Sequence, residues 1–125
     1  MMTNILIVDD SRTMRMIQRN ILQAMGFNDT LEAEDGVDAL DKLNSNDIDL
    51  VLMDWNMPNK SGLDTLKEMK LSKALKNIPV IMSTSESEKS KVSEAISAGA
   101  ANYITKPFKP EVFNEKIKSE LAKLI

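Results

Sequence analysis

The sequence predicts a single α/β domain with a parallel sheet covered by helices on both faces. Three observations predict it. The chain has 125 residues, enough for one domain with one core. Short apolar runs alternate five times with stretches of helical periodicity. The first run, "ILIV", has no polar residue, as expected of a strand buried on both sides. Such alternation calls for right-handed crossovers and a doubly wound (βα)5 sandwich.

Taken in order, "NILIV" (Asn4 to Val8) is the first strand. The first helix follows, with Met14, Ile17, Ile21 and Met25 at helical spacing, Ser11 as its cap and Gly26 as its stop. "TLEAE" (Thr30 to Glu34) is the second strand. Asp35 caps the second helix, whose inward residues are expected to be Val37, Leu40 and Leu43. "DLVLM" is the third strand. A loop with Pro58 and Gly62 leads to a helix marked by Leu63, Leu66 and Met69. "IPVIMS" is the fourth strand, and Val92, Ala95 and Ile96 mark a fourth helix that ends near Gly99. "NYIT" is the fifth strand. The last helix opens at Pro110, a favoured first-turn residue, and is expected to bury Phe113, Ile117, Leu121 and Leu124.

Composition excludes much chemistry. The chain has no cysteine and no histidine, so disulfides, thiolate or imidazole metal sites and histidine general bases are ruled out. A net charge of -3 argues against a nucleic-acid surface. No apolar run reaches the ~18 residues of a membrane span, and "MMTNILIVDD" is not a signal peptide. A cytoplasmic protein is expected.

Sheets of this kind place their sites at the carboxyl ends of the strands. There the sequence puts Asp9 and Asp10 after strand one, Asp54 after strand three, Ser83, Thr84 and Ser85 at the end of strand four, and Thr105, Lys106 and Pro107 at the end of strand five. An acid after a strand is commonly just a cap or turn former. Four such ends in one crevice are not explained by caps. Two unit charges ~4 Å apart repel by about 4 kcal/mol at an effective dielectric of ~20. A hard divalent cation relieves that repulsion, and Mg²⁺ suits an oxygen-only site. The set points to phosphoryl chemistry, with Asp54 as a carboxylate nucleophile and Lys106 neutralising phosphoryl oxygens. Thr84 is placed to hydrogen-bond the transferred group.

"VDD", "LMDWNMP", "STS" and "KPF" after strands one, three, four and five resemble the receiver domain of two-component response regulators. The resemblance spans residues 1–125 and implies a receiver with no output domain. It alone implies the flavodoxin-like strand order 2-1-3-4-5. It implies Asp54 as phosphoacceptor and Mg²⁺ held by Asp10, Asp54 and the backbone carbonyl of Asn56, with Asp9 acting through water. Thr84 would be the switch hydroxyl, Lys106 the phosphate-contacting lysine and Tyr103 the aromatic that changes rotamer. A cis Lys106-Pro107 bond is also implied. Within the family, "DDSRTMR", "DWNMP", Trp55, Asn56 and Glu86 look most like the small chemotaxis regulators of the CheY type. Ser85 departs from a commonly occurring alanine.

The resemblance further implies a histidine kinase as phosphodonor. Phosphorylation would switch the face made by helix four, strand five and helix five, with the flagellar motor switch as target. The expected state is a monomer that binds neither nucleic acid nor membrane. The alternative is a phosphorelay shuttle that hands its phosphoryl group to a histidine phosphotransfer protein. An enzyme is not expected. Haloacid-dehalogenase-type phosphatases need a second Asp two residues after the nucleophile, and Asn56 cannot protonate a leaving group. Flavodoxins need a phosphate loop after strand one, where Asp9 and Asp10 would repel the flavin phosphate.

Overall fold

A computed structural model describes residues 3–85 and 90–124. Five strands and five helices alternate: β1 (Ile5–Val8), α1 (Arg12–Ala24), β2 (Thr30–Ala33), α2 (Gly36–Ser45), β3 (Leu50–Asp54), α3 (Gly62–Leu71), β4 (Val80–Thr84), α4 (Val92–Ser97), β5 (Asn102–Thr105) and α5 (Pro110–Ala122). The strands form one sheet in the order β2-β1-β3-β4-β5, every pair parallel. The doubly wound architecture and the 2-1-3-4-5 order are as expected.

Burial explains the apolar runs. All residues of β1, β3 and β4 are buried, whereas β2 and β5, at the edges, are mixed. Alternate residues feed two cores. Leu6, Val8, Val51, Met53, Val80 and Met82 pack with Ala39 and Leu43 of α2, Leu66 and Met69 of α3, and Ala95 of α4. Ile5, Ile7, Leu50, Leu52 and Ile81 pack with Leu22 of α1 and with Phe113 and Ile117 of α5. Each of the Val, Leu, Ile, Met and Phe side chains among them stabilises the fold by roughly 1.5–3 kcal/mol relative to exposure.

The caps follow the sequence. Ser11, Asp35 and Ser61 each accept a hydrogen bond from the backbone N–H three residues on. Gly26 takes a φ of +95° just past α1, a conformation that glycine adopts without steric cost.

Two inward assignments need correction: Val37 is 57% exposed and Leu124 50%. Ile17 and Ile96, which mark helical spacing in the sequence, are 38% and 46% exposed. In α1 the buried residues are Gln18 and Leu22, while Met14, Ile21 and Met25 are half-buried at the flanks. The stripe was read from apolar residues alone, and its centre is held partly by a polar one. Gln18 returns its side-chain amide to the Met14 carbonyl at 3.1 Å and so tolerates burial. Strand ends also shift. Asn4 and Glu34 lie outside β1 and β2, and Asp54 is the last residue of β3 rather than the first after it. β4 runs from Val80 through Thr84, not from Ile78 to Ser83. Gly62 opens α3 instead of belonging to the loop.

Candidate functional site

Sheet order makes β1, β3, β4 and β5 consecutive neighbours. Register then aligns their ends: Val8 is opposite Met53, Asp54 opposite Ser83, and Thr84 opposite Thr105. The chain leaving β1 therefore delivers Asp9 and Asp10 beside Asp54. Carboxylate oxygens of Asp9, Asp10 and Asp54 lie within 4.8 Å of one another. Asp9 and Asp54 are buried and Asp10 is exposed.

Lys106 arrives from the end of β5. Its Nζ donates to Asp54 Oδ1 at 2.9 Å and to Asp9 Oδ2 at 3.2 Å. The Lys106 N–H donates to the Thr84 carbonyl at 2.7 Å, and the Lys106-Pro107 bond is cis, as expected. Two backbone N–H groups complete the buried acids: Ser11 donates to Asp9 Oδ1 at 2.9 Å and Trp55 to Asp54 Oδ1 at 3.0 Å.

One ammonium faces three carboxylates, and the acidity of Asp54 reflects its buried position among them. Burial pushes its carboxyl up from 3.8 to about 6, helped by the charges of Asp9 and Asp10 and opposed by Lys106. For Lys106, burial alone would lower the pKa. The Asp54 hydrogen bond and the Asp54 and Asp9 charges together outweigh burial and raise it. The donors are oxygens only and carry surplus negative charge. They fit a hard divalent cation such as Mg²⁺.

Thr84 is fully buried at the end of β4, and its Oγ1 has no hydrogen-bond partner among the described residues. A buried unsatisfied hydroxyl costs on the order of 1–3 kcal/mol. A group of this kind calls for an explanation, such as a catalytic role or a bound water or ion.

Three supporting residues escaped the sequence reading. A Cβ on Gly62 would sit 2.0 Å from the Asp54 carbonyl oxygen, and the Gly62 N–H donates to the Trp55 carbonyl at 2.9 Å. The start of α3 thus rests directly on the backbone of the central acid. Arg15 donates to the Asp9 carbonyl at 2.7 Å while pairing with Glu32 of β2 at 3.0 Å. Arg19 joins the same carboxylate at 2.8 Å. Arg15 and Arg19 share one face of α1, but only the sheet order reveals Glu32 opposite them. Gly62 carried one usable signal, the Ser61 cap before it.

The remaining expected residues sit farther out. Trp55 is buried beside Asp54, with Lys91 Nζ 5.9 Å from its ring centroid. Asn56 is exposed on the loop after β3. Tyr103 is half-buried on β5, with Lys116 Nζ of α5 4.0 Å from its ring centroid and hydrogen-bonded to its carbonyl. Glu86 lies outside the described residues. No helix among the described residues is long and apolar enough to cross a membrane.

Residues 5–118 match the family model of the response regulator receiver domain. The chain belongs to that family. It is 48% identical to chemotaxis protein CheY1 of Helicobacter pylori strain J99 over 119 residues, covering 94% of this chain and 96% of that one. It is 45% identical to CheY-3 of Vibrio cholerae over 120 residues, covering 96% and 92%. Among solved structures, chemotaxis response regulator CheY4 of Vibrio cholerae matches with a TM-score of 0.88 at 31% identity, over 97% of this chain and 100% of that one. NtrX from Brucella abortus matches with 0.89 at 30% identity, over 98% of this chain but 27% of that one. The chain is a CheY-like receiver.

Proposed function

We propose that this chain is a phosphorylation-driven switch of bacterial chemotaxis, not an enzyme acting on an external substrate. One observation carries the reading: three carboxylates within 4.8 Å, with Lys106 on Asp54 and, at the adjacent strand end, a Thr84 hydroxyl without a partner among the described residues. The curated relatives named above are chemotaxis proteins and extend it to a pathway.

Asp54 is the phosphoacceptor. Its carboxylate attacks the phosphorus of a phosphohistidine on the donor kinase; the new O–P bond forms as the N–P bond breaks, and the imidazole leaves on the kinase. Bound Mg²⁺ supplies charge neutralisation for the carboxylates and the phosphoryl oxygens. Asp10, Asp54 and the Asn56 carbonyl would hold it, with Asp9 acting through water. Lys106 contributes the second positive charge and shifts from the Asp54 carboxylate to a phosphoryl oxygen. The Thr84 hydroxyl donates to another. That movement vacates space for Tyr103, which biases the face of α4, β5 and α5 toward its target. The target is the flagellar motor switch, and the switch acts as a cytoplasmic monomer.

The test adds beryllofluoride with Mg²⁺ to wild type and to Asp54→Asn, and measures affinity for a motor-switch peptide. The expected result is at least tenfold tighter binding for treated wild type and no change for the variant. Rapid phosphoryl transfer from chain labelled with acetyl phosphate to a histidine phosphotransfer domain, without peptide binding, would establish the relay shuttle instead.

A further inference from the structure

We infer that Asp35 and Asn59 clamp the β2–α2 loop to the β3–α3 loop, and that this clamp sets the Mg²⁺ affinity of the acidic site from outside it. The inference rests on the proposed metal site, because the clamped loop carries the Asn56 carbonyl.

Asn59 has a φ of +67°, the one non-glycine residue with positive φ among those described. Asparagine enters this region more readily than most residues, but a reason to stay there is still needed. Its side-chain amide provides one, donating to Asp35 Oδ2 at 2.7 Å. Asp35 is 6% exposed, and its other oxygen caps α2 through the Asp38 N–H at 2.8 Å. An acceptor anchored in this way holds whatever binds its free oxygen.

The adjacent residues close the same seam. Gly36 donates its N–H to the Lys60 carbonyl at 3.3 Å. A Cβ on Gly36 would lie 2.0 Å from Thr65 Oγ1 and 2.9 Å from Lys60 Cβ and the Lys60 carbonyl. Thr65 Oγ1 in turn donates to the Ser61 carbonyl at 2.7 Å. At its other end the loop is tied by Gly62 to the Trp55 carbonyl and packs on the carbonyl of Asp54. Asn56 lies between these two anchor points. Neither Asp35 nor Asn59 belongs to the acidic cluster, so the pair acts by positioning.

Outer partners that orient metal ligands commonly change metal affinity about tenfold or more when removed. Asn59→Gly keeps the positive φ accessible and removes only the amide. Asp35→Asn keeps an N-cap oxygen for α2 and removes the charged acceptor. Both variants and their double mutant are compared with wild type by Mg²⁺ titration, using calorimetry and Trp55 fluorescence. Hydrogen exchange of the Gly36 and Gly62 amides is read in metal-free protein, and Tm is recorded in parallel. The expected result for each single variant is a Mg²⁺ Kd about tenfold weaker, with faster exchange at both amides. The double mutant should be no weaker than the worse single variant, because both changes open one contact. A lowered Tm with wild-type Mg²⁺ Kd would show a merely structural contact and overturn the clamp alone. A wild-type chain that takes up no Mg²⁺ would overturn the proposed function and the inference with it.

Discussion

At residue scale the proposed phosphoacceptor, Asp54, sits in an environment that makes a measurable demand on the fold. Its carboxyl is raised to about 6, whereas in the unfolded chain it titrates near the ordinary 3.8. Between those values the folded state keeps a proton that the unfolded state has released. Stability contributed at this site is therefore highest at low pH and falls as pH rises through about 6. Asp54→Asn should remove that fall. In metal-free buffer at pH 7.5 the variant should be more stable than wild type by roughly 1–3 kcal/mol, as read by urea unfolding. Lys106 also pairs with Asp9 at 3.2 Å, so its charge should not be orphaned in the variant. A variant less stable than wild type at that pH would mean that the Lys106 pairing outweighs burial. The identity of the acids, Lys106 and Thr84 was legible from strand-end residues alone. That Asp54 closes β3 rather than following it was not, because an acid does not look like a strand residue. Nor were Arg15 and Gly62, whose roles exist only through folded contacts with the backbone of Asp9 and Asp54.

At the scale of elements, the sheet was easier to read than the helices. A continuous apolar run needs no phase to be assigned, so β1, β3 and β4 could be identified by length and composition. A helix must be rotated correctly as well as located. In α1 the spacing of apolar residues included Ile17, which is exposed, and passed over Gln18, which is buried. In α2 and α4, Val37 and Ile96 lie away from the small buried residues Ala39 and Ala95 that face the sheet. Short side chains let a helix approach closely, but they carry a weak hydrophobic signal. Unfolding measurements separate the two phases of α1. Leu22→Ala should cost about 2–5 kcal/mol and Ile17→Ala well under that, about 1 kcal/mol or less. The reverse ranking would mean that α1 packs in the phase first read from its sequence.

Over the whole molecule, the proposed switch would couple a buried acidic pocket to an outer face through neighbouring strand ends. Thr84 is buried and without a hydrogen-bond partner among the described residues, and Tyr103 lies under Lys116 on the adjacent strand. Thr84→Ala removes the unsatisfied hydroxyl but leaves the acids and Lys106 in place. It should accept a phosphoryl group at close to the wild-type rate, and beryllofluoride should no longer tighten its target binding. Full tightening in the variant would remove Thr84 from the switch. The central claim, phosphoryl acceptance by Asp54 with a divalent cation, can be tested without any partner. Purified chain is incubated with acetyl phosphate, with Mg²⁺ or with chelator, and the mass of the intact protein is followed. Wild type with Mg²⁺ should gain one phosphoryl group, located on the peptide containing Asp54 by borohydride reduction. The chelated sample and Asp54→Asn should gain none. Equal labelling with and without Mg²⁺, or labelling that persists in Asp54→Asn, would contradict the account.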